Sequence, residues 1–326
     1  MEDVISFVFS GKLAHNNEMD FYEAARFQYA ASRLTVKLDK FRRTGEFPKK
    51  VTRQNNTAIN LRPYRPGSFG IDIIGPALAT LPPLLYELPI TSLWTYVIER
   101  VFKPAESDTI KQALQTQADL IRVFDASIAS SDRQATMTLQ MLERQIAQER
   151  EVNEEVRELY ERLLAETQRR SYLEAHQEVL NKITPEQDAE LVTMATPLLK
   201  EIAVPLRRSA SLASVNISDK YGRRRVLSAT RRMADEVETI RIDPQITPVR
   251  LDIVQYNKES GWGKFRNPEF DGQTPFSVPA DRKENLKSKL TRAMNKDEVF
   301  VLAYYVRSVT GKKLRIIITD FVEDEA

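Results

Sequence analysis

Apolar residues recur at gaps of three and four along much of the chain and give way to alternation near its end. Over residues 18–43, Phe21, Ala25, Leu34, Leu38 and Phe41 give a helix one apolar stripe. Asn16 or Asn17 can cap it, Glu18 and Asp20 sit at its positive end, and Gly45 can stop it. Ahead of it, the short apolar run 4–9, closed by Ser10-Gly11, predicts a strand and a turn. Residues 57–61 and 68–74 predict a hairpin about Arg65-Pro66-Gly67. Leu93, Trp94, Val97 and Val101 place a second helix over 92–102. Residues 1–104 are expected to form a small α+β head domain.

Residues 105–184 lie between Pro104 and Pro185 and contain neither Gly nor Pro. They consist largely of Ala, Leu, Glu, Gln and Arg, the good helix formers, and as one helix would reach ~120 Å. Ser130, Ser131 and Asp132 can cap a fresh start, so a break is expected at 127–132. Leu139, Leu142, Ile146, Val156, Leu159 and Leu163, with Asn153 and Tyr160, then form a seam that suits a helical partner. That partner is another part of the same chain, in a helical hairpin, or a second subunit, in a coiled coil. A further helix over 186–204, with Leu191, Met194, Leu198 and Ile202 on one face and Pro205 after it, completes a helical arm over 105–204.

Residues 205–248 read as an Arg-rich connector. Arg207, Arg208, Lys220, Arg223, Arg224, Arg225, Arg231 and Arg232 stand among Ser and Ala, with Asp219 the one counter-charge before Asp235. A brief strand at 215–217 and a helix at 226–237 are expected, then a linker marked by Pro244 and Pro248. Clustered cations can meet the phosphates of RNA or DNA. They can equally pack on acidic helices, and residues 143–178 carry ten Glu and six Arg, a net charge of −4. Packing is the preferred reading.

The last stretch alternates. Val249, Leu251 and Ile253 mark a half-buried strand, and 262–266 and 275–278 add two more across the turns Ser260-Gly261 and Asp271-Gly272. A helix over 280–294 and a hairpin of 298–307 with 313–321 follow. The order β-β-β-α-β-β is that of an oligonucleotide-binding (OB) barrel, and an SH3-like or split barrel gives nearly the same pattern. Residues 249–326 are taken as an OB-like β-barrel domain. Its Trp262, Lys264 and Arg266, with Tyr256, Phe265, Tyr304, Tyr305 and Arg307 nearby, set aromatics beside cations. Such rings stack bases or fill the core of a small barrel.

Composition narrows the chemistry. The 326 residues suffice for two or three domains, and the formal net charge of +2 sets up no global field toward nucleic acid or membrane. With no Cys, disulfides, thiolate catalysis and zinc–thiolate sites are excluded, and a cytoplasmic location is expected. The first residues lack the basic and apolar regions of a signal peptide. Segment 71–98 carries only Asp72 and Glu87 as charges, but four prolines interrupt it, so no membrane span is expected. The two histidines, His15 and His176, sit beside no nucleophile elbow, and Ser10-Gly11-Lys12 lacks the upstream glycine of a phosphate loop. No Cys/His cluster and no Asp-x-Asp pair flags a metal. No catalytic residue, metal ligand or cofactor is therefore assigned.

Two passages carry a resemblance: Asp20-Phe21-Tyr22-Glu23-Ala24-Ala25-Arg26-Phe27-Gln28 with Pro66-Gly67-Ser68-Phe69, and Pro205-Leu206-Arg207-Arg208-Ser209-Ala210 with residues 256–278 behind it. Over 1–104 and 200–326 the chain resembles a bacterial two-domain family of unassigned activity, with an α+β head and a small β-rich tail. That resemblance implies a bacterial, cytoplasmic protein from a phage-defence or mobile-element setting, and it supplies no catalytic residue. The expected fold is α+β: a small N-terminal α+β domain, a long helical arm or hairpin and a C-terminal OB-like barrel. The expected role is a non-enzymatic, homo-oligomeric binding or scaffold protein with a protein partner. The alternatives are a nucleic-acid-binding protein using the connector and barrel, and a nuclease or hydrolase with a carboxylate site the sequence does not flag.

Overall fold

A computed structural model describes residues 3–48, 50–52, 56, 59–63, 69–74, 88–102, 154–219, 222–243, 245–258, 261–270, 272–308 and 311–322. They form a mixed α+β structure with seven α-helices and two β-sheets. The break expected at 127–132 and the turn at Arg65-Pro66-Gly67 lie outside the described residues. Among the described residues no helix is long and apolar enough to cross a membrane.

The first sheet is antiparallel throughout. Strand β1 (Val4–Ser10) sits at its centre, flanked by β3 (Phe69–Ile74) and then β2 (Asn60–Pro63) on one side. On the other side lie β4 (Leu212–Asp219) and β5 (Gly222–Thr230). The stretch expected as a connector thus supplies two strands to a sheet begun at residue 4. The expected helix at 226–237 is corrected too. Residues 226–230 complete β5, and the helix is the shorter Arg231–Thr239, which starts where pairing with β4 ends at Leu212↔Thr230. Val226, Leu227, Ser228 and Ala229 are all buried, and pairing with β4 outweighs the weak helical pattern they share with the residues that follow.

The inward face of β1 explains the core beneath. Phe7 and Phe9 point the same way, as strand alternation requires. Helix α1 (Phe21–Thr44) meets them with Phe27, whose ring lies edge-on at 5.4 and 4.9 Å. Helix α2 (Ile90–Val101) adds Trp94 at 5.4 Å from Phe7. Asp20 caps α1 by accepting from the Tyr22 and Glu23 N–H groups at 3.0 Å, in place of Asn16 or Asn17. Gly45, at φ 70°, closes it.

Helix α3 (Glu154–Glu174) explains where the sheet stops. Among the described residues β5 has no strand on its outer side, so its backbone groups need other partners. Gln168 Oε1 accepts from the Arg225 N–H at 2.7 Å, and Arg169 Nη1 donates to the Val226 carbonyl at 2.9 Å. Val226 is the bulged residue, since Val215 pairs Leu227 and Asn216 pairs Arg225. Within its described part the expected arm therefore does not project; it lies along the sheet edge. Its buried apolar residues are Tyr160, Leu164, Ala165, Tyr172 and Leu173; of the expected seam Tyr160 is among them, while Leu163 is only half-buried. Leu139, Leu142 and Ile146 lie outside the described residues, as do the side chains of Val156 and Leu159.

A short helix α4 (Gln177–Leu180) leads to α5 (Pro185–Ile202). Thr184 and Gln187 exchange side-chain and backbone bonds in a capping box, with Pro185 in the first turn where its missing N–H costs nothing. Helix α5 packs across α1 and α2 rather than extending an arm.

After helix α6 (Arg231–Thr239) and the short β6 (Ile240–Ile242) comes the closed five-stranded barrel. Its strands are β7 (Thr247–Asn257), β8 (Trp262–Arg266), β9 (Gln273–Ser277), β10 (Val299–Ser308) and β11 (Lys313–Phe321). Helix α7 (Ala280–Ala293) connects β9 to β10. Around the barrel the order is β7-β8-β9-β11-β10 and back to β7, with β9 and β11 parallel and every other pair antiparallel. Gly263 faces inward, where a Cβ would stand 2.3 Å from the Gln255 carbonyl and the Phe276 ring, so only glycine fits. Alternation divides the barrel wall between two cores. Ala303, Tyr305, Ile316 and Ile318 fill the barrel, while Tyr304, Val306 and Ile317 join the core under the first sheet.

Candidate functional site

The outer face of β8 carries the candidate site. Alternation sends Phe265 into the barrel and leaves Trp262, Lys264 and Arg266 on the outside. Lys264 Nζ lies 5.4 Å from the Trp262 ring, within cation–π range, and the ring itself is only 5% exposed. Arg266 is open to solvent, 3.9 Å from Asp252. It also lines a groove of about 590 Å³ with Arg250, Asp252, Asn267, Phe270 and Gln273. The three residues expected from sequence thus share one face. That face carries both signs of charge, because Asp252 and the Arg250–Glu298 pair border the groove.

The Arg-rich stretch is not one patch. Arg224 lies 3.4 Å from Asp219, and its guanidinium sits 5.4 Å from the Tyr172 ring. Arg225 pairs with Glu161 of α3. Arg207 meets Glu238 at 2.6 Å. Arg231 and Arg232 face Asp235 and Glu236 one turn along α6, at 3.8 and 4.0 Å. Arg208 and Arg223 are exposed, and Lys220 is outside the described residues. The cations expected as one cluster are spread over β5, α6 and the turn before β4, with a carboxylate beside each of five arginines: Arg207, Arg224, Arg225, Arg231 and Arg232.

A second cluster lies where the barrel meets the first sheet's helices. Arg100 of α2 is 1% exposed. It binds Asp281 of α7 through two hydrogen bonds of 3.0 and 2.9 Å. Its Nε lies 2.6 Å from Asp188 of α5, out of line for a hydrogen bond, so that contact is ionic. Tyr96 and Tyr304 each donate to Asp188, at 2.6 and 2.7 Å. The guanidinium carbon lies over the Tyr96 ring, 3.3 Å from its centroid. Burial opposes the Arg100 charge, but the two carboxylates more than offset it and hold its pKa well above the ordinary value. Burial likewise pushes the Tyr96 and Tyr304 phenols up, and the Asp188 charge adds to that. Sequence reasoning missed this cluster. Its signal was a charged pair, Glu99-Arg100, ending an otherwise uncharged helix.

The arrangement holds charge in place; it does not expose a reactive group. The acids are committed to arginine or tyrosine partners inside the protein. Among the described residues no group of three or more His, Asp or Glu is placed to hold a metal ion. No protein-family model matches the chain, and no curated protein or solved structure is significantly similar to it.

Proposed function

We propose that the chain is a non-enzymatic binding protein, in which an OB-like barrel fixed to an α+β head presents the outer face of β8 to a protein partner. The barrel order supports this reading: three meandering strands, a helix, then two strands, with the third and fifth parallel, is the order expected of an OB fold. The observation that carries it is the placement of Lys264 and Arg266 on the outer face of β8, beside the closed-off Trp262 ring, on the second strand of the barrel, where OB folds take their ligands. The buried Arg100–Asp281 ion pair between head and barrel, with the Tyr304 bond to Asp188 beside it, favours a rigid platform over a hinged enzyme. Self-association rests on the seam from Leu139 to Leu163 in the sequence.

Single-stranded nucleic acid is the second reading, favoured by the cation–aromatic pair of Lys264 and Trp262. Two facts favour a protein instead. A base stacks on an open ring, and Trp262 is 5% exposed. The groove also mixes Arg250 and Arg266 with Asp252 and Glu298, which suits a mixed-charge protein surface better than a phosphate backbone. Light scattering at tens of micromolar, combined with anisotropy of a labelled single-stranded oligonucleotide over a salt series, tests the choice. The expected result is an oligomer with no oligonucleotide binding at physiological salt. Tight, salt-sensitive binding that is lost in Lys264→Ala/Arg266→Ala would promote the nucleic-acid reading, and a monomer would remove the scaffold.

A further inference from the structure

Between the outer wall of the barrel and the helices of the first sheet lies a cavity of about 310 Å³. One wall comes from the end of α2 and from α6 with the residue after it, through Val101, Phe102, Val237 and Ile240. The other comes from the barrel, through Pro275 and Val306. These walls are largely apolar, although Glu236 and Thr239 of α6 also line the space. One residue sets it apart. Arg315 of β11 lines the cavity and is only 6% exposed. Alternation explains its direction: Ile316 and Ile318 point into the barrel, so Arg315 and Ile317 point out toward the helices.

A guanidinium has five N–H donors in a planar fork. Arg315 uses Nη1 for one bond to Ser277 Oγ at 3.2 Å, and its buried Nη2 has no partner. No carboxylate among the described residues forms an ion pair with it; Glu236, which lines the same cavity, and Glu99 act only through their more distant charge. Burial lowers the Arg315 pKa to about 10, still far above neutrality, so the charge persists. A buried cation that keeps its charge without a counter-ion is strongly unfavourable, whereas Arg100, equally buried, meets two carboxylates. The contrast leaves Arg315, a lining residue of the cavity, without a paired anion.

We propose that this cavity is a binding site for a small amphipathic carboxylate, whose carboxyl group pairs with Arg315 and whose hydrocarbon body fills the apolar walls. The planar fork matches a carboxylate's two oxygens. The volume lies at the small end of ligand pockets, roughly 300–1,000 Å³, so one short alkyl chain or a single ring system fits. The site is separate from the outer face of β8 and does not depend on what that face binds.

Calorimetric titration of the full chain with octanoate, octylamine and acetate tests it. Octanoate is expected to bind at one site, octylamine about tenfold or more weaker, and acetate not measurably, since charge and chain must both contribute. Octanoate should also raise the melting temperature, because a ligand of the folded state alone stabilises it. Arg315→Met keeps a chain of similar length without the charge, and is expected to lose about tenfold or more in octanoate affinity. If that variant does not fold, Val237→Phe decides: it fills the cavity from the opposite wall, leaves Arg315 in place and should abolish binding. Octylamine binding as tightly as octanoate, octanoate binding unchanged in the deciding variant, or no octanoate binding at millimolar concentration would each overturn the proposal.

Discussion

Arg100 and Asp281, 181 positions apart in the chain, form a two-pronged ion pair of 3.0 and 2.9 Å with both side chains closed off from water. The pair joins α2, beneath the first sheet, to the first turn of α7 in the barrel, where the helix dipole also favours Asp281. Formation of a buried pair is not itself strong evidence of stabilisation, because desolvating two charges offsets much of the attraction. Removing one member is different. Asp281→Asn leaves Arg100 with Asp188 alone and is expected to cost about 3–5 kcal/mol. Arg100→Met combined with Asp281→Leu and Asp188→Asn should recover much of that. Urea denaturation of the variants measures both, and a cost for Asp281→Asn below about 1 kcal/mol would show that the pair does not anchor the barrel.

The edge of β5 supplies a second expectation. Gln168 is the partner of the Arg225 N–H, so Gln168→Ala strands one backbone donor, at a cost of about 1–3 kcal/mol if water cannot reach it. Arg169→Ala removes the donor to the Val226 carbonyl and also leaves Glu99 without its buried arginine. It should cost more, about 3–5 kcal/mol. Hydrogen exchange resolves the local effect: amides of residues 222–227 should lose protection in Gln168→Ala before the barrel amides do. Uniform loss across both sheets would mean that α3 has no special role at this edge.

How much of this was legible depends on the range of the interactions. Within the barrel, β8 and β11 fall on the residues expected from sequence, since both are short strand-forming runs that follow turn residues. β11, buried on both faces over Arg315 to Thr319, is read from its run of isoleucines rather than from alternation. Pairing of β1 with β4 could not be read this way. The two strands lie some 200 residues apart, and the pattern of neither names its partner. The Arg223-Arg224-Arg225 run hid β5, since three cations in a row read as solvent or ligand surface. Only the helix lying alongside, with Glu161 and Gln168, makes that strand edge a good place for them. Trp262, Lys264 and Arg266 were legible as one face from period two alone, whereas Arg100 and Arg315 owe their character to burial by elements distant in sequence.

The same arginines give a direct contrast between the two functional readings. Arg224→Ala leaves Asp219, 1% exposed, without its arginine, and Arg225→Ala releases Glu161. The Arg225–Glu161 pair is partly open to water and should contribute only ~0–1 kcal/mol; the buried Asp219 raises the expected total for Arg223→Ala/Arg224→Ala/Arg225→Ala to about 1–3 kcal/mol. The melting temperature should fall accordingly. Oligonucleotide anisotropy should not change. An unchanged melting curve with weakened, less salt-sensitive oligonucleotide binding would reverse the assignment.

Buried phenols shape the behaviour at high pH, Tyr172, Tyr96 and Tyr304 among them. Burial raises the Tyr172 pKa although Ser92 and Thr91 hydrogen-bond its oxygen, and raises those of Tyr96 and Tyr304 beside Asp188. In the unfolded chain each phenol loses its proton near pH ~10. Above that pH the folded state holds protons that the unfolded state has released, so stability falls as pH rises; below it the phenols contribute no slope. Lys37 and Lys200, whose pKa values burial lowers, act in the opposite sense below pH ~10.5, so the phenol contribution is best isolated by difference. Tyr304→Phe should be less stable than the parent near neutrality, because Asp188 loses a donor. Its stability should then decline less steeply above pH ~10, by about 1.4 kcal/mol per pH unit, the share of one phenol. Urea denaturation across that range measures the two slopes, and tyrosinate absorbance should show Tyr304 ionising only as the chain unfolds. Parallel slopes for the two proteins would mean that Tyr304 ionises freely in the folded state.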